Sequence, residues 1–401
     1  MSSRERVRLA LDHREADRVP IDFGAMRSTG ISAIAYNKLK TYLGIKGGHT
    51  KLYDVLQQLA EPEPELVERF HADVVQLHRR EPAWASIEEW KEGVLPDGSP
   101  CLEPKNFNPV VDEEGNSLVY LGGKLVGKRP NGGLYYDFMY HPCEHVESTA
   151  DIDKLPLPSI PDDELVFLKN EAIRLRGTTD KAILGAFGGN IFEVGQIDFT
   201  YERYFSDIAL EPELIHHYND RLAKAWLVCL ERYLGAVGEY IDVIQFGDDL
   251  GTQISSQISP QMYREMIKPY HAMQYQWVQN NYPDVRVFLH CCGAISNLIP
   301  DLIDAGVQVL NPVQLTASGM DPAMLKKEYG KSLVFWGGGC NTSTTATNGT
   351  PEDIRREVKE LMGIFAPGGG YVFTQVHNIQ ANVPPENTVA IYEAGYEFGK
   401  Y

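Results

Sequence analysis

Eight short runs of β-branched and aromatic residues, most of them followed by a stretch of helical periodicity, set the fold class of this chain. They fall near 19–23, 73–78, 182–187, 240–246, 285–290, 307–310, 332–336 and 371–375. Short apolar runs bounded by Gly, Pro, Asn or Asp read as strands, and the amphipathic stretches between them read as helices. Eight strand–helix units predict an α/β chain closed into a parallel (β/α)8 TIM barrel. A doubly wound open sheet would need a Gly-rich phosphate turn after its first strand. The residues there, FGAMRSTG, do not make one.

The texture changes between Trp84 and about His145, where Gly, Pro, Asp and Asn recur around short alternating runs such as SLVYLGGKLVGK. This predicts a β-rich insertion between strands two and three, roughly 84–150, closed by the Pro-rich run at 155–161. The whole chain, 1–401, is expected to form one barrel domain around it. Helices are expected at 2–16, 31–43, 52–70, 162–177, 191–208, 212–237 and 260–280, with shorter ones alternating with the last strands.

With 43 % hydrophobic residues, 401 residues supply an ample core. A net charge of −18 argues against nucleic acid or an anionic membrane as the main partner. No apolar run is long enough to span a bilayer, and the charged, helical start predicts no secretory signal. Six cysteines in so long a chain do not form a disulfide framework, so a reducing cytoplasm is expected.

Active sites of such barrels lie at the C-terminal ends of the strands. The polar groups falling there are His78, Asp248, Asp249, His290, Cys292, Asn311, Cys340 and His377. Strand side chains alternate between faces, so His290 and Cys292 share one face while Cys291 packs into the wall. An imidazole and a thiolate on one face make half of a tetrahedral zinc site. Cys340 and His377, from the last two strand ends, are the candidates to complete it. Sulfur ligands argue against calcium or magnesium. Asp249 reads as a helix cap, and Asp248 as a further ligand or general base. Met26, His78, Asn190 and Asn311 are expected to touch the substrate.

Six motifs carry a family resemblance: RVPIDFG, FGDDLGTQ, FLHCCGAI, VQVLNPVQ, FWGGGC and GGGYVFTQVHNIQANVPPENT. Through them the chain resembles the uroporphyrinogen decarboxylase superfamily over nearly its whole length. The resemblance implies a (β/α)8 barrel and one of two chemistries. The decarboxylase branch holds a tetra-anionic porphyrinogen with N-terminal arginines, in a motif like RQAGRY. Here the matching stretch, DFGAMRSTG, has only Arg27. The other branch contains corrinoid-dependent methyltransferases, with His-x-Cys-Gly after strand five and a third zinc ligand, usually Cys, before a PxEN motif. His290 and Cys292 match the pair. The third position holds His377 in place of Cys, and Cys340 is a candidate second thiolate.

The resemblance thus implies a zinc-assisted methyltransferase component. It would move a methyl group between a small O- or N-methylated substrate, such as an aryl methyl ether or methylamine, and the cobalt of a separate corrinoid protein. The chain lacks an Asp-x-His-x-x-Gly corrinoid-binding segment, so the corrinoid is expected on a partner. The alternative is a decarboxylase-like lyase that works through Asp248 and His377 without metal.

Overall fold

A computed structural model describes all residues from Met1 to Tyr401. Seven parallel strands form one curled sheet: Val74–Leu77, Ala182–Gly188, Val243–Gly247, Arg286–His290, Val309–Asn311, Val334–Trp336 and Tyr371–Val372. They are hydrogen-bonded in chain order, as a barrel of right-handed strand–helix units requires. The first of the eight runs, residues 19–23, counts as strand one and closes the seam. Asp22 N–H donates to the Phe373 carbonyl, Phe373 N–H to that of Pro20, and Asp73 N–H to that of Ile21. Residues 19–23 thus touch both ends of the sheet, joined to the last strand by a single bridge from Ile21 to Phe373 in place of a full ladder. Pro20 supplies no N–H, which shortens any ladder this run could build.

The interior of the barrel is a packed core of its own. Val74, Leu184, Val243, Phe288, Val309, Val334, Trp336 and Val372 meet there in alternate-residue phase. Val7, Ala10 and Leu11 of the first helix, Ser3–Leu11, belong to the same cluster. That helix starts on a capping box, with the Ser2 hydroxyl accepting from Glu5 N–H and the Glu5 carboxylate accepting from Ser2 N–H. Its arginines, with Arg18 and Arg176, bind two buried carboxylates at the base of the sheet. Arg6 and Arg18 pair with Asp73, and Arg4, Arg8 and Arg176 with Asp242. Both aspartates also accept a backbone N–H, from Ile21 and Ile183. Each buried charge is therefore paired and hydrogen-bonded, the condition under which it can be kept there.

Three helices differ from the sequence reading. The stretch 52–70 is helical only over Pro64–Arg69; before it, Leu52–Asp54 and Leu59–Ala60 pair with each other, and Leu59–Ala60 also pairs with Ile31–Ser32. Pro62 and Pro64 delay the helix, since proline is tolerated only in a first turn. The stretch 191–208 divides at Thr200, whose φ is +69°. The stretch 260–280 divides at Ile267 into Pro260–Met266 and Lys268–Asn281.

Between the second and third strands the chain makes two small antiparallel sheets. One pairs Trp90–Val94 with Pro100–Pro104. The other orders Asp137–Phe138, Lys124–Arg129, Ser117–Leu121 and Val110–Val111. No helix is long and apolar enough to cross a membrane.

Asp22 is fully buried inside the barrel, where it accepts hydrogen bonds from Trp336 Nε1 (2.8 Å) and Ala25 N–H (2.7 Å). Burial pushes its carboxyl up to about 6. A folded-state value above the unfolded one favours the folded state while the acid is protonated. That contribution disappears as pH rises from about 4 to about 6. We expect Asp22→Asn, which cannot ionise, to remove this slope from the pH dependence of stability. Parallel melting-temperature profiles for the two proteins between pH 4 and 7 would show that Asp22 is ionised in the fold.

Candidate metal centre

The strand Arg286–His290 runs straight into the candidate site. Phe288 lies in the barrel interior, so His290, two residues on, faces the same way at the upper end. Cys291 turns into the wall, fully buried, where its Sγ accepts from Leu250 N–H (3.4 Å). Cys292 returns to the mouth, with Sγ 3.4 Å from His290 Nε2. Gly293 then turns sharply at φ +92°, and a Cβ there would stand 2.4 Å from the Gly251 backbone. Only glycine fits that approach.

His377, in the loop after the last strand, completes a cluster. One ligand atom from each of His290, Cys292 and His377 lies within 4.8 Å of the other two. The two rings are 5.8 Å apart, centroid to centroid. Each imidazole places Nδ1 against an asparagine oxygen: His290 on Asn311 Oδ1 (2.7 Å), His377 on Asn378 Oδ1 (3.1 Å). An amide oxygen only accepts, so in both rings Nδ1 carries a proton, which leaves Nε2 as the nitrogen that could face a metal. Metal-binding histidines are oriented in this manner. Burial, and His290 beside it, lower His377 to about 4, so its ring is neutral.

The thiol of Cys292 is pushed well above its usual range by burial and by the Asp249 carboxylate. Asp249 accepts from Cys292 N–H (2.7 Å) and lies 3.7 Å from His290 Nε2. Two imidazoles, one sulfur and an adjacent carboxylate form a donor set that suits a divalent cation of the zinc class. Such a cation would reverse the local preference of the sulfur and stabilise the thiolate.

Several site expectations change. Cys340 stands apart from the cluster: its buried Sγ is directed to Glu357 Oε2 (3.4 Å) on the helix Pro351–Phe365. Gly337 and Gly338 precede it with φ of +116° and +70°, so strand alternation ends before it. Asp248 and Asp249 exchange the roles read for them. Asp248 is fully buried and accepts from the N–H groups of Ile191, Phe192 and Glu193 and contacts His271 Nε2 (2.8 Å). It caps the helix Phe192–Phe199, and Asp249 faces the site. Met26 is wholly buried in the interior core. Asn311, also fully buried, serves His290 and is itself held by Ser28 Oγ and the Trp336 carbonyl.

His78 packs against Tyr53 with the rings tilted by 56° and centroids 4.5 Å apart, and its Nδ1 has no partner. Asn190 Nδ2 donates to Glu193 Oε2 (2.6 Å). The sequence reading missed Glu193, whose carboxyl is pushed well above the usual carboxylate range by burial and by Asp249 and Asp248. An acid in a helix's first turn reads as a dipole partner, which hides it. Arg27, the one arginine of the N-terminal loop, is paired with Asp54 and donates to the Pro82 carbonyl.

The family model of uroporphyrinogen decarboxylase (URO-D) matches residues 142–398. The chain belongs to the uroporphyrinogen decarboxylase family. Within this family, the uroporphyrinogen decarboxylase of Legionella pneumophila is 26% identical over 274 residues, spanning 66% of this chain and 73% of the relative. That of Chlorobium limicola is 26% identical over 263 residues, spanning 62% and 69%. A solved methyltransferase from Methanosarcina mazei shares the fold, with a TM-score of 0.62, 18% identity and 99% of both chains covered.

Proposed function

We propose that this barrel is the methyltransferase component of a corrinoid-dependent system. It would move a methyl group between a small O- or N-methylated compound and the cobalt of a separate corrinoid protein. The observation that carries this reading is the paired orientation of His290 and His377, each with Nδ1 on an asparagine oxygen, beside the Cys292 sulfur. His290, Cys292 and His377 would hold zinc, which when bound acts as a Lewis acid on the heteroatom that carries or accepts the methyl group. Asn311 and Asn378 fix the tautomers, and Asp249 fixes the backbone at Cys292. His78 and Asn190 remain our candidates for substrate contact. The six thiols are all unpaired, which suits a cytoplasmic enzyme.

Decarboxylation fits the site less well. Several carboxylates on one substrate call for free arginines, and Arg27 is already committed to Asp54. The metal-free lyase also loses its base, because Asp248 is enclosed and saturated with donors. The test supplies purified, zinc-loaded protein with cob(I)alamin and a panel of aryl methyl ethers and methylamines. Methylcobalamin formation from at least one class is the expected result. Release of carbon dioxide from a porphyrinogen, with no methylation of cobalt, would overturn the proposal.

A further inference from the structure

We propose that Tyr135, delivered by the β-rich excursion between the second and third strands, is a positioning residue for His377, and that the excursion thereby sets how tightly the centre holds its ion. The inference rests on reading His290, Cys292 and His377 as a metal centre. It assigns a task to a segment in which the motifs show none.

The excursion is fastened to the rim at several points. Leu102 N–H donates to the Thr50 carbonyl (2.8 Å), Tyr136 N–H to that of Leu56 (3.0 Å) and Cys143 N–H to that of Asp198 (2.8 Å). Adjacent tyrosines then serve different masters. Tyr136 is buried within the excursion, edge-on to Trp84 and Phe107, with its hydroxyl 2.6 Å from Ser117 Oγ. Tyr135 leaves the excursion and donates its O–H to Asn378 Oδ1 (2.8 Å) in the loop that carries His377.

Asn378 is fully buried, and its partners decide which way its amide points. Its Nδ2 donates to Gln57 Oε1 (2.9 Å). Its Oδ1 receives the Tyr135 hydroxyl and the Gln380 amide. Gln380 also donates to the Tyr135 oxygen, which closes a small ring of hydrogen bonds. With the amide so fixed, its oxygen faces His377 Nδ1 and obliges that nitrogen to carry the proton. A turned amide would offer N–H to both the ring and Gln380. The two imidazoles are thus set by different parts of the chain. His290 answers to Asn311, held by the barrel itself, and His377 answers through Asn378 to the excursion.

The test is zinc affinity, measured by competition with a chromophoric chelator, on the full-length protein. Tyr135→Phe keeps the ring and removes the hydroxyl. It is expected to weaken zinc binding by roughly tenfold or more, the usual scale for loss of a hydrogen-bond partner behind a metal ligand. Its thermal melt without metal should match the parent, and the cobalt(II)-substituted protein should show shifted absorption bands. Asn378→Ala should weaken binding at least as much. Parent-like affinity and cobalt spectrum in Tyr135→Phe would overturn the proposal, whatever Asn378→Ala does. A parent protein whose zinc content is unaffected by Cys292→Ser would show that the reading of the centre itself has failed.

Discussion

Cys292→Ser is expected to strip the protein of zinc while the barrel stays folded. The sulfur is the one soft donor in the cluster, and a serine hydroxyl at neutral pH is a poor replacement for a thiolate. Loss of a direct ligand should exceed loss of a supporting partner, so affinity should fall by more than about a hundredfold. Stability should barely change. Cys292 is only partly buried and belongs to neither core cluster, and the interior is filled by Phe288, Trp336 and their neighbours regardless. Metal analysis and thermal melting of the purified variant check both halves. Cys340→Ser is the paired control: its sulfur is engaged with Glu357, so zinc should be retained. Full zinc content in Cys292→Ser would make the thiol a packing residue.

Asp248→Ala should act on stability, at a cost of about 3–5 kcal/mol, the range for removing one partner from a buried charged network. The variant leaves three N–H groups at the start of the helix Phe192–Phe199 without an acceptor, and takes the carboxylate from His271. An unmade buried hydrogen bond costs more than a made one contributes. His271 is also bonded to Tyr263 (3.0 Å), so the disturbance would pass on to the helix Pro260–Met266. Denaturation by urea, followed by fluorescence, measures the loss. A variant of parental stability that no longer turns over would return Asp248 to the chemistry.

These two residues mark the boundary of what the residues alone disclose. Alternation along a strand is a strict period of two, and it assigned His290 and Cys292 to the mouth and Cys291 to the wall, as found. The same rule gives no purchase beyond Gly247, where the strand has ended and two adjacent aspartates differ only in how the loop turns. Capping by Asp248 reaches back more than fifty residues, a partnership no local pattern reports. Cys340 failed for a related reason, since the glycines before it leave the strand period. The eight apolar runs conveyed the barrel because most are buried on both faces and each carries its own signal. Tyr135 and Asn378 were invisible because alternation in an antiparallel excursion shows which residues share a face, not what that face meets.

The closure of the seam carries a kinetic consequence. Residues 19–23 are made well before their partner on the far side, Phe373. Until then the interior lacks Val372, and the strand Val334–Trp336 stands at a raw edge with unpaired backbone groups. A ribosome-bound chain must therefore hold an open, apolar sheet until Phe373 has emerged, with this long-range contact deferred until then. Chains cut short before the last strand would present a sticky edge, so premature termination in this protein should yield aggregates in place of partial barrels.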